Sequence, residues 1–176
     1  AQSCYHIHLT NFAIFNKNIG VNDATQLNSA ALQLLANCND WQISAGVLSF
    51  GVGFGVLYEG AQDINFSGVD IIPAVDGIVT PGEAIRISNT AGGKNLKLTG
   101  CDIGQSFFAP LSAATYGIRC LLATFDGLFI DGGSIEALTQ VNKIVLTGTE
   151  TRVSIGEVGG IGNAFKTVVA AAALAF

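Results

Sequence analysis

The sequence predicts an all-β chain folded as a stack of similar coils. Two observations predict it. A nine-residue phrase recurs as Asp63 to Ile71, Asn95 to Ile103 and Gly127 to Ile135, with successive starts 32 residues apart. In each copy large apolar residues stand two apart (Ile64 and Phe66, Leu96 and Leu98, Leu128 and Ile130), with a glycine two places later. Alternation buries one face of a strand and the glycine lets the chain turn. Recurrence at such a period marks units that cannot cover their own apolar face and are covered by the next.

Taken in order, the chain opens with Cys4 to Leu9, where Tyr5, Ile7 and Leu9 alternate with Cys4, His6 and His8. This pattern fits a half-buried strand; three soft ligands on one face also suit a metal, but no fourth ligand accompanies them, so no metal is assigned. Phe12 to Phe15 reads as a second short strand. From Asn22 the period lengthens. Asp23 with Gln26 has the spacing of a capping box, and Leu27, Ala31, Leu34, Leu35 and Cys38 fall on one helical face, which predicts a helix over 23–37.

Strands follow at Trp41 to Ile43 and Val47 to Phe50, with a turn at Ser44 to Gly46. Gly51 to Gly55 lacks the spacing of a nucleotide loop and reads as a bend. Each phrase has a partner strand upstream: Val56 to Tyr58, Ala84 to Ile87 and Gly117 to Cys120. These imply coils over 56–83, 84–116, 117–140 and 141 onward, with a fainter phrase at Ile144 to Glu150. Phe165, Val169, Ala172 and Phe176 share a helical face that would cap the open edge or join subunits. The chain divides into 1–45 (strands and helix), 46–162 (coils) and 163–176 (apolar capping or oligomerisation segment). Alternating short strands also suit a β-sandwich or jelly roll, the alternative fold.

Composition bounds the function. Apolar residues make up 49% and charged residues 12%, too little charge for a freely exposed surface, so burial against copies of the chain is expected. A net charge of −5 with eight scattered Lys and Arg leaves no footprint for nucleic acid or an anionic membrane. No apolar run reaches bilayer length, and Ala1-Gln2-Ser3-Cys4 does not begin a secretory signal; loss of an initiator Met or of a leader would both leave this start. Four cysteines without a CxxC pair read as buried thiols.

Phe12 to Phe15, Gly20 to Thr25, Ala30 to Leu35, Trp41 to Leu48 and Asp63 to Gly68, in that order, resemble the opening of pectate-lyase-like right-handed parallel β-helices, common in bacteriophage tailspikes and related virion proteins. The resemblance implies a helix covering the first coil and coils winding towards the C-terminus. It implies a structural protein of a virus particle: a spike, fibre or decoration module, located in the virion or outside the cell. Its partners would be copies of itself, as a trimer, other virion proteins, and a host surface polysaccharide. No cofactor is implied. The acidic pair usual after the glycine is reduced here to Asn22-Asp23, and four or five coils are too few for a long polysaccharide groove.

Two acidic groups are candidates for catalysis. Asp70 and Asp102 hold equivalent places in successive phrases, with Glu150 similarly placed in the fourth. Stacked in register, the aspartates would lie about 5 Å apart, the separation of retaining glycosidases. The alternative is that each binds local backbone N–H groups. Asp126 and Asp131, with Glu136 and near Arg119, form the second group, although both aspartates precede glycines as turn residues do. Phe107, Phe108 and Tyr116 in a long loop are candidates for binding, to sugar rings or to a neighbouring subunit. Two further functions therefore stand beside the virion module: a polysaccharide-degrading enzyme, hydrolase or lyase, and a secreted filament or adhesin subunit.

Overall fold

The structure, a computed structural model, describes residues 4–16, 29–73, 81–88, 93–105, 113–121, 125–137, 143–146 and 150–159. Among these the only regular elements are strands, in two parallel sheets. The smaller has five: β4 (Ala30–Leu35), β6 (Phe54–Glu59), β8 (Glu83–Ile87), β11 (Tyr116–Cys120) and β14 (Ile144–Val145), stacked in that order. The larger, ten-stranded sheet begins with β1 (Cys4–Tyr5), β2 (His8–Thr10) and β3 (Ala13–Asn16), all paired with β5 (Cys38–Phe50). It continues through β7 (Gln62–Pro73), β9 (Lys94–Thr99) with β10 (Asp102–Ile103), β12 (Asp126–Asp131) with β13 (Ser134–Ile135), and β15 (Thr151–Ile155). From β4 onward the chain crosses between the sheets in alternation. Each arrival is laid beside the previous one.

The register aligns the recurring phrases residue for residue. Phe66 is the partner of Leu98, and Leu98 of Ile130; Ile64, Leu96 and Leu128 form a second such row. Both rows face inward and all six residues are buried. Facing them, Val56, Ile85, Ile118 and Ile144 stack in the smaller sheet. Alternate residues thus deliver two apolar walls to one core, and each fully buried side chain contributes about 1.5–3 kcal/mol. Tyr58, wholly buried, sets its ring edge-on to Phe125 at 5.7 Å and its hydroxyl donates to the Lys94 carbonyl at 2.8 Å. Its burial pushes the phenol pKa upward.

A bend divides each arm of the larger sheet. Gly68, Gly100 and Gly132 have φ of 57°, 59° and 69°, and the same corner is held in earlier layers by Asn11 and Ala45 at 51° and 50°. Layers built on Tyr5 to Asn11 and Trp41 to Gly46 are therefore copies of the phrase that lack its glycine.

Several expectations are corrected. Over 30–37 there is no helix: Ala30–Leu35 is a strand, Leu32 and Leu34 pairing with Val56 and Tyr58. Ala-Ala-Leu-Gln-Leu-Leu satisfies periods of both two and 3.6, and the waiting edge of β6 decides between them. The capping-box residues Asp23 and Gln26 lie outside the described residues, as does 163–176. Ser44 to Gly46 is a corner within one continuous strand. Ile144–Val145 belongs to the smaller sheet beside Ile118 and Arg119, so it is not the fourth phrase; that place is taken by β15, with Val153 and Ile155 on Leu128 and Ile130. The sandwich and jelly-roll alternative fails because among the described residues every ladder between strands is parallel, whereas those folds are antiparallel.

Candidate functional site

Just beyond the bend, one row runs Val47, Asp70, Asp102, Ser134 and Gly159 by direct register. Parallel strands lie about 4.8 Å apart, so Asp70 and Asp102 are neighbours at the spacing expected from the phrase. The Ser134 hydroxyl donates to Asp102 Oδ1 at 2.7 Å and lies 3.4 Å from Gln105 Oε1. Asp70 is half-buried, and desolvation, followed by the charge of Asp102, raises its pKa. The two carboxyls therefore differ in surroundings: Asp102 accepts a hydroxyl hydrogen bond, and Asp70 has its pKa raised by burial and by the charge of Asp102. Two carboxyls at this spacing are the arrangement that cleavage of a glycosidic bond with retention uses. Glu150 does not join the row; Gly159 occupies that layer, because β15 rather than β14 carries the fourth phrase.

The second acidic group does not assemble. Asp126 and Asp131 stand at opposite ends of β12, roughly 16 Å apart along the strand, beyond the separation of either glycosidase class. Asp126 accepts from Arg152 Nε at 2.7 Å and Nη2 at 2.6 Å, and from the Thr151 hydroxyl at 2.6 Å. Those hydrogen bonds, that of Arg152 first, hold its pKa at about 2, so it remains an anion near neutrality and cannot serve as a general acid. Asp131 is exposed and lines a shallow groove with Lys97, Phe129 and Ser154. Glu136 pairs with buried Lys143 at 3.0 Å, and Arg119 pairs with Glu83 at 3.0 Å, so neither completes the group.

Compared with known proteins, the chain matches no family model, no curated protein and no solved structure. Its site is therefore read from its own geometry.

Of the candidate binding residues, Phe107 and Phe108 lie outside the described residues. Tyr116 is half-buried at the start of β11, with the Arg119 guanidinium 4.5 Å from its ring centroid. Arg86 stands similarly over Phe54 at 4.3 Å, and both arginines meet Glu83. These rings are engaged by cations of the same sheet.

A polar ladder escaped the sequence reading. His6, Asp40, Asp63, Asn95, Gly127 and Arg152 each directly precede the apolar pair of their layer, and all have positive φ. His6 Nδ1 contacts Asp40 Oδ2. Asn95 donates to Asp63, and Arg152 Nη2 donates to Asn95 Oδ1 at 2.8 Å. Its signal lay in the first residue of every phrase, polar or glycine without exception. His6 thereby leaves the strict alternation of Cys4 to Leu9. Among the described residues no group of three or more His, Cys, Asp or Glu is placed to hold a metal.

Proposed function

We propose that the two parallel sheets are faces of one short right-handed β-helix and that the protein is a structural module. In this reading it is a rigid spike, fibre or decoration unit of a virus particle, assembled as a homotrimer with other virion proteins as neighbours. The observation that carries it is the unbroken inward row Ile43, Phe66, Leu98, Ile130 and Ile155. A core continued by register from layer to layer makes a stiff column, and stiffness is what a spike supplies. The polar ladder supports the same reading, since side-chain contacts of His6 with Asp40, of Asn95 with Asp63 and of Arg152 with Asn95 tie layers together. The virion assignment itself rests on the order of motifs in residues 12–71 and on the low surface charge. That resemblance is narrower for the loss of the helix over 30–37. Light scattering on the purified protein, with negative-stain images of the same sample, tests the proposal. A threefold rod is expected; a monomer at micromolar concentration overturns it.

The register of Asp70 on Asp102 favours a second reading, cleavage of a surface polysaccharide with Asp70 as acid and Asp102 as nucleophile. Incubating the protein with purified bacterial surface glycans tests it: new reducing ends, abolished in a folded Asp70→Asn/Asp102→Asn variant, support cleavage. Products that persist in that variant remove this pair from consideration.

A further inference from the structure

Cys4 and Cys38 are register partners at the first edge of the larger sheet. No disulfide joins any of the four cysteines here; Cys4 is exposed and Cys38 buried. We propose that Cys4 and Cys38 form an oxidation-dependent disulfide that staples the exposed strand β1 to the stack.

The geometry is the argument. Partners on adjacent parallel strands have Cα atoms about 4.8 Å apart and side chains on the same face of the sheet. A disulfide accepts Cα separations of about 4.4–6.8 Å. The pairing is fixed on both sides of Cys4: its N–H donates to the Asn37 carbonyl at 2.8 Å, its carbonyl accepts from Trp41 Nε1 at 3.2 Å, and His6 N–H donates to the Asn39 carbonyl. Being two residues long and, among the described residues, paired on one side only, β1 can make the small approach that bonds sulfur to sulfur. The other cysteines are not so placed. Cys120 has Ile87 as its partner, and Cys101 lies against the backbone of Gly133.

The chemistry needs a disulfide oxidant of the glutathione class. The thiolate of exposed Cys4 attacks one sulfur of the oxidant, forming a mixed disulfide and releasing one thiol. Cys38 then loses its proton and attacks the Cys4 sulfur, displacing the second thiol, which takes up that proton. Two protein thiols are oxidised to one disulfide, and one oxidant disulfide is reduced to two thiols. Reducing surroundings keep the pair open, and oxidising surroundings close it.

The test is to incubate the full chain with oxidised glutathione, block remaining thiols, and map the digested peptides by mass spectrometry. A Cys4–Cys38 cross-linked peptide is expected, with Cys101 and Cys120 blocked, and the melting temperature should rise by roughly 5–10 °C on oxidation. Cys4→Ser, a change at an exposed edge, should abolish both the cross-link and the rise. A stable glutathione adduct on Cys4 with Cys38 still blockable overturns the proposal, as does a Cys4–Cys4 link between chains.

Discussion

Arg152 reaches Asn95 across an intervening layer because the residue between them, Gly127, has no side chain. The guanidinium of Arg152 donates to Asn95 Oδ1 at 2.8 Å while also holding Asp126. A Cβ placed on Gly127 would stand 2.5 Å from Asn95 Oδ1 and 3.2 Å from Arg152 Nη2, and the backbone there has φ of +90°. One glycine thus lets a cation span two strand spacings.

Gly127→Ala should therefore be destabilising on two counts, backbone strain and a displaced hydrogen bond, by about 1–3 kcal/mol. Urea unfolding checks it through the midpoint at unchanged slope. An unaltered midpoint would mean that the ladder shifts freely and holds nothing together.

The bend offers a reciprocal pair. Gly68→Ala meets no atom within 4 Å, so its cost is conformational alone, about 1 kcal/mol at φ of +57°. Ala45 already bears that strain at φ of 50°, and Ala45→Gly should stabilise by up to about 1 kcal/mol, less the entropy that glycine adds to the unfolded chain. Paired thermal melts decide whether the corner is the same in both layers.

Asp70→Asn should raise the melting temperature at pH 7. Because the folded pKa of Asp70 lies above its ordinary value of 3.8, folding binds its proton more tightly, so this group's contribution falls as pH rises through the folded value. The variant's advantage should be present at neutrality, small given the solvent around the side chain, and should vanish below pH 3.8.

Asp126 works in the opposite sense. Its folded pKa of about 2 lies below 3.8, so its contribution is complete above pH 3.8 and is lost as pH falls towards 2. Asp126→Asn should be less stable than the parent at neutral pH and flatter across that acid window. Melting curves taken at intervals between pH 5 and pH 2, expressed as the difference between the two proteins, provide the measurement.

The carboxylate pair was partly legible in the chain because Asp70 and Asp102 occupy the same place in a repeated phrase, and register preserves places. Asp126 was not, since its partner Arg152 belongs to a layer whose glycine, Gly156, follows the apolar pair by one place instead of two, and lies only 26 residues away instead of 32.

By itself the sequence determined which side chains of the repeated phrase turn inward. Pleating is a local property, and Ile64 with Phe66 or Leu96 with Leu98 can hide only on one face of a strand. Only the tertiary structure decided that Ala30 to Leu35 would be extended, since its pattern suits a helix equally until the edge of β6 supplies backbone partners. It also decided which charges met. A guanidinium at 152, an amide at 95 and a carboxylate at 126 become neighbours only when successive layers are laid down in one register, and no short window of sequence contains that distance.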